Sequence, residues 1–129
     1  MTAEPRYLLD TNICIFILDA TLPKLRQRLE LVDQGALATS TIVLAELLRR
    51  SDMGSEVEMQ RLQLLLTVVP ALSFDAAAAQ AYARLPFRHG RLDRLIAAHA
   101  LSRGLTVVTA NVQDFSDVPG LQVENWTAG

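Results

Sequence analysis

The sequence predicts an α/β domain with a central parallel sheet. Three observations predict it: short apolar runs recur along the chain, each run ends in residues that cap helices, and the segments between carry apolar residues at helical spacing. Strands that read as unbroken apolar runs are those covered on both faces, which is the condition of a parallel sheet. The chain has 129 residues, half of them hydrophobic and a fifth charged, so a single domain over residues 1–129 is expected to bury its own core. That balance excludes a disordered chain and leaves no room for a second substrate lobe.

Tyr7-Leu8-Leu9 is the first apolar run, and Asp10-Thr11-Asn12 favours a helix N-cap over continued strand. A short helix should follow from Ile13 to Leu18. Thr21-Leu22-Pro23 opens a second helix, because proline is tolerated in a first turn, and Gly35 stops it after about Asp33. Leu37 to Thr39 predicts a second strand, and Thr39-Ser40-Thr41 caps a helix through Ile42 to Leu48. Gly54 ends that element or its loop, and Ser55 to Glu58 has the spacing of a capping box that starts a helix through Leu66. Thr67-Val68-Val69 is β-branched and predicts a third strand closed by Pro70. Asp75 precedes four alanines and predicts a helix to about Leu85, after which Pro86 to Gly90 reads as a turn. Arg91 to Arg103 predicts a helix with Gly104 as its left-handed C-cap, Leu105 to Thr109 a fourth strand, and Leu121 to Glu124 an edge strand.

In open parallel sheets, ligands bind beyond the carboxyl ends of the strands, where strand order reverses. Asp10 and Asp114 follow strands there, while Glu46 and Asp93 lie early in helices that face those strand ends. Each has an ordinary alternative. Asp10 caps a helix, Glu46 pairs with Arg50 one turn on for about 0.3–0.5 kcal/mol, Asp93 favours a helix dipole, and Asp114 is a solvated loop acid. Together, four carboxylates on one rim would resist ionising unless divalent cations neutralise them. Ligation by oxygen alone, without clustered cysteine or histidine, points to Mg2+ or Mn2+. Such ions activate water and stabilise the departing oxygen of a phosphodiester.

The segments Tyr7-Leu8-Leu9-Asp10-Thr11-Asn12, Thr39-Ser40 with Ala45-Glu46-Leu47, Asp93-Arg94-Leu95-Ile96-Ala97-Ala98-His99-Ala100, and Val108-Thr109-Ala110-Asn111 through Asp114-Phe115 resemble those of PIN-domain ribonucleases. More closely, the chain resembles the VapC-type toxins of type II toxin–antitoxin pairs, in order from about Tyr7 to Trp126. The resemblance implies a PIN-like three-layer α/β/α sandwich and a Mg2+- or Mn2+-dependent endoribonuclease that cuts tRNA or another structured RNA. It also implies a cognate VapB-type antitoxin. Carried over by position, Asp10, Glu46 and Asp93 are the implied metal ligands and catalytic acids. Many relatives have the fourth acid directly after the fourth strand, where this chain has Asn111; the acid before the phenylalanine, Asp114, then takes that role, through water or directly.

Thr11, Asn12, Thr109 and Asn111 flank these ligands and either orient them or serve as turn and cap residues. Arg49, Arg50, Arg88, Arg91 and Arg94 are candidate RNA contacts, against the commoner reading of surface ion pairs. His99 reads as a packing histidine, Cys14 as core and Trp126 as a packing anchor. Leu22, Leu25, Leu29, Leu44, Leu47, Leu48, Leu62 and Leu65 either fill the core or leave a face for a homodimer or the antitoxin.

Two other classes fit less well. A phospho-acceptor signalling domain needs paired acids after the first strand and a later lysine, yet the sole lysine is Lys24; a dehalogenase-type phosphatase needs an acid where Asn12 stands. A PIN scaffold serving only as a binding module has Asn111 in its favour. With one cysteine, a polar start from Met1 to Pro5 and no long apolar run, the expected setting is cytoplasmic, with no membrane contact. The net charge of -2 argues at first against an RNA substrate, but setting the four acids aside leaves 10 acids against 12 bases. The acidic balance is then the metal site counted without its metal.

Overall fold

The computed structural model describes residues 4–33, 35–50, 55–86 and 91–128, and the backbone alone for Arg91. Strands β1 (Tyr7–Leu9), β2 (Leu37–Ser40), β3 (Ala71–Leu72), β4 (Thr106–Val108) and β5 (Val123–Glu124) form one sheet in the order β3-β2-β1-β4-β5, with every pairing parallel. Between them run α1 (Thr11–Asp19), α2 (Pro23–Glu30), α3 (Thr41–Arg50), α4 (Glu56–Val68), α5 (Ala76–Ala83) and α6 (Arg91–Arg103). A parallel crossover is right-handed, so α1 to α4, on the way outward to β3, take one face and α5 and α6, on the way back to β4, take the other. This is the three-layer α/β/α sandwich.

Local chemistry sets the helix ends. Asp10, Ser55 and Asp75 each accept a backbone N–H from the first turn of the helix that follows, and the Ser40 hydroxyl accepts the Ile42 N–H at 3.0 Å. Gly104 ends α6 at φ 66, the left-handed cap expected of it. The central strands are buried except at Tyr7 and Thr106, which are partly covered: Leu8, Leu9, Ala38, Val107 and Val108 are inaccessible, and Ile13, Leu25, Val43 and Ile96 close on them from the helices. Cys14 and Trp126 belong to this core, as expected.

The third strand is not where β-branching placed it. Thr67 and Val68 complete the last turn of α4, and the strand is Ala71–Leu72, beyond Pro70. Leu62, Leu65 and Val69 bury one face of α4, so packing overrides the strand propensity of Thr67-Val68-Val69. The Thr67 hydroxyl is taken up by Leu64 O in the preceding turn, and Val69 N–H still reaches Leu65 O at 2.8 Å. The turn expected over Pro86 to Gly90 lies mostly outside the described residues, as does Gly54. Among the described residues, no helix is long and apolar enough to cross a membrane.

Candidate active site

Strand order reverses between β1 and β4, so the chain leaves these neighbours in opposite directions and a crevice opens beyond their carboxyl ends. Asp10 and Thr109 are the first residues past the two strands, and Asp10 N–H still donates to Val108 O at 3.1 Å. Asp10 is 6% exposed. Its Oδ1 accepts the Ile13 N–H at 3.0 Å, and the Thr109 hydroxyl bonds the same carboxylate. The helix-cap reading of Asp10 is therefore right as far as it goes, but a carboxylate has about four lone-pair sites and one cap leaves capacity for an ion. Burial pushes its pKa up; the bonds from Thr109 and Ile13 oppose the rise, and the charges of Glu46 and Asp114 add to it.

Glu46 lies half-buried on α3. Thr11 Oγ1 donates to its Oε1 at 2.5 Å, which joins the first turn of α1 to α3. The surface pair with Arg50 does not form, because Arg50 reaches Asp19 instead at 3.2 Å. Asp93 is half-buried in the first turn of α6, where burial first and then the charges of Asp114, Asp10 and Glu46 push its pKa up to about 6. Asp114 is exposed on a short 3-10 turn, Val112–Phe115, after β4, with its N–H on Asn111 O at 3.0 Å. Four acids from four separate segments thus feel one another's charge at one rim.

Their chemistry fits a hard divalent cation: the donors are all oxygens, two are already oriented by hydroxyls, and mutual repulsion is what an ion would relieve. Among the described residues no three of these side chains close into a ready cage. The fit therefore rests on donor type, orientation and field.

Of the flanking residues, Thr11 and Thr109 hold Glu46 and Asp10, and Thr109 Oγ1 also accepts the Asn111 N–H at 3.0 Å. Asn12 and Asn111 have exposed side chains. Arg49 and Arg50 end α3 on the surface. Arg88 and the side chain of Arg91 lie outside the described residues. Arg94 departs from its expected role as an RNA contact: it is buried, with its guanidinium on Asp117 and Pro86, so it does not line an approach path. The short sequence around Arg94 gives no sign of this, since its partner comes from beyond β4. His99 is fully buried, its Nδ1 lies 2.8 Å from Ser40 Oγ, and its ring meets Phe74 edge-on. Burial holds its pKa below the ordinary imidazole range, in keeping with a packing role.

A family model described as the PIN domain matches residues 7–121. The chain is 36% identical to the tRNA(fMet)-specific endonuclease VapC of Shigella flexneri, over 95% of this chain and 98% of the relative. It is 32% identical to ribonuclease VapC2 of Rickettsia felis, over 93% of this chain and 97% of the relative. Among solved structures, VapBC2 from Rickettsia felis bound to a promoter DNA fragment superposes with a TM-score of 0.83 at 32% identity, covering 93% of this chain and 98% of that one. DNA-bound VapBC from Salmonella typhimurium gives 0.83 at 30%, covering 95% and 98%. With the sheet order, the acids at its switch point and these likenesses in agreement, the chain belongs to the PIN-domain family and, within it, to the VapC ribonucleases.

Proposed function

We propose that the chain is the toxin of a type II toxin–antitoxin pair, a Mg2+- or Mn2+-dependent endoribonuclease that cuts cellular RNA and is restrained by a VapB-type antitoxin. The observation that carries this reading is the convergence of Asp10, Glu46, Asp93 and Asp114 from four separate segments at the carboxyl ends of β1 and β4, close enough that the charges of the other three push the Asp93 carboxyl further up on top of its burial. A site that raises the cost of its own ionisation is one that a cation completes.

Asp10, Glu46 and Asp93 would hold the ion, and Asp114 would complete the set. When bound, the ion supplies an activated water and offsets charge on the phosphodiester. The chain's own residues prepare that event. Thr11 fixes the Glu46 carboxylate, Thr109 and the Ile13 N–H fix that of Asp10, and the buried strand ends keep both from turning away. His99 takes no proton in the reaction, being sealed in the core. Transfer RNA is the substrate we put first, because the Shigella and Salmonella relatives are named for it.

The antitoxin has a surface to occupy. An apolar groove of about 460 Å3 is lined by α1, α2 and α4, with Leu29, Leu64, Leu65 and Val68 on its walls, and a second of about 610 Å3 lies along α1 and α2. An amphipathic segment of a partner fits such grooves, and the similar solved structures are VapBC complexes. The leucine surplus is thus divided: Leu25, Leu47, Leu62 and Leu65 are core, while Leu22, Leu29, Leu44 and Leu48 are partly covered.

The test is cleavage of bulk tRNA by the purified chain with Mn2+, with EDTA, and with Asp10→Asn, followed by mapping of the new 5′ ends. Cutting is expected only for the wild type with metal. Undiminished cutting in EDTA, or by Asp10→Asn, would overturn the metal reading. No cutting and no Mn2+-induced rise in melting temperature would favour an inert binding module.

A further inference from the structure

We propose that Arg94 is a positioning residue of this site: it locks the loop that carries Asp114 onto the first turn of α6 and so sets the spacing between Asp114 and Asp93. The inference rests on the metal reading above. Arg94 directly follows Asp93, yet its side chain is turned inward and the residue is 4% exposed. Its Nη1 donates to Asp117 Oδ1 at 3.0 Å and its Nη2 to Asp117 Oδ2 at 3.2 Å, a two-pronged pair, and Nη2 also donates to Pro86 O at 3.1 Å. One guanidinium therefore ties together α6, the segment that precedes it and the loop after β4.

Asp117 lies three residues beyond Asp114. The 3-10 turn that carries Asp114, Val112–Phe115, is a single short turn of a kind with poor hydrogen-bond geometry, so it does not hold itself in place. Phe115 and Val118 sink into the core on either side of Asp117 and fix the depth of the loop. Apolar plugs resist pulling out, but they do not fix orientation. The planar fork of an arginine on a carboxylate fixes both distance and direction, and a lysine in its place would supply the charge without the geometry. An apolar pair would hold the fold about as well as this pair, in which Arg94 is buried and the Asp117 side chain is 38% exposed. What it would not hold is the direction in which the exposed Asp114 faces.

Four proteins test this: the wild type, Arg94→Lys, the double variant Arg94→Met with Asp117→Leu, and Arg94→Lys in an Asp114→Asn background. Mn2+ affinity is read by the paramagnetic resonance of free Mn2+, and loop order by amide exchange at residues 112–118 in the metal-free chain. Arg94→Lys is expected to weaken Mn2+ by about 10- to 100-fold and to speed exchange in the loop. It should add nothing where Asp114 is already asparagine. The apolar double variant should regain melting temperature while its Mn2+ affinity stays low. Wild-type affinity in Arg94→Lys, a full additional loss on top of Asp114→Asn, or affinity that returns with the melting temperature would each overturn the proposal. A wild type that binds no Mn2+ removes the metal reading and this inference with it, whereas a binding wild type with unchanged variants removes this inference alone.

Discussion

Among the described residues, the Thr11 hydroxyl bonds one oxygen of Glu46. Thr11→Val keeps the shape and removes the donor, so Mn2+ affinity and cleavage should fall about 10- to 100-fold with the chain still folded. A calorimetric titration of Mn2+ into the variant checks this. Asp93 yields a prediction about pH. Its folded pKa of about 6 lies above the 3.8 of the free side chain, so the folded state holds more protons between about pH 4 and 6. Stability from this group is present at low pH and lost as pH rises through that window. In EDTA, the melting temperature of the wild type should fall relative to Asp93→Asn between pH 4 and pH 6 and run parallel above it. Parallel curves throughout would place Asp93 away from the other acids. Asp10, Asp93 and Asp114 were legible as residues because each sits in a cap or first turn, and Glu46 because it is an acid flanked by leucines within α3. Arg94 was not, because a buried arginine and a surface arginine have the same neighbours in sequence when the partner, Asp117, arrives from another segment.

At the scale of elements, helix starts were readable from single side chains: Asp10, Ser40, Ser55 and Asp75 all cap the helices they precede. Strand β3 was not readable, since two residues carry no period and the β-branched run before it is claimed by the buried face of α4. Helix ends offer a paired experiment. Ala20 closes α1 in the left-handed region at φ 53, and Gly104 closes α6 at φ 66. An L side chain is strained in that region by about 1–2 kcal/mol, so Ala20→Gly should raise the melting temperature and Gly104→Ala should lower it. A Cβ at Gly104 would meet nothing within 4 Å, so its effect isolates backbone strain from crowding. Chemical denaturation of the two variants, read as opposite shifts of similar size, is the check.

For the whole molecule, the proposed function puts control and chemistry on different surfaces. The acids stand at the carboxyl ends of β1 and β4, and the apolar grooves lie along α1, α2 and α4. Leu64 and Val68 are 68% and 50% exposed on that side. Replacing both with aspartate should weaken antitoxin binding at least tenfold while the isolated chain cleaves RNA at its usual rate, and growth inhibition in the presence of antitoxin should rise accordingly. Lost cleavage in that variant would mean that the grooves serve the reaction itself. The overall class was legible from strand and helix alternation, and so was the rim on which to look; the position of the grooves was not, because the same leucines serve core and surface.

The sheet order has a consequence for how the protein comes into being. Leu8 pairs with Val107, so the second strand made is not the one that completes the site; β4 must slot in beside β1 after most of the chain has been synthesised. Until then Asp10 has neither Thr109 against its carboxylate nor Asp114 opposite. A contact so distant in sequence forms late and slowly. A chain still growing on a ribosome therefore carries no assembled acidic rim until the last strands emerge.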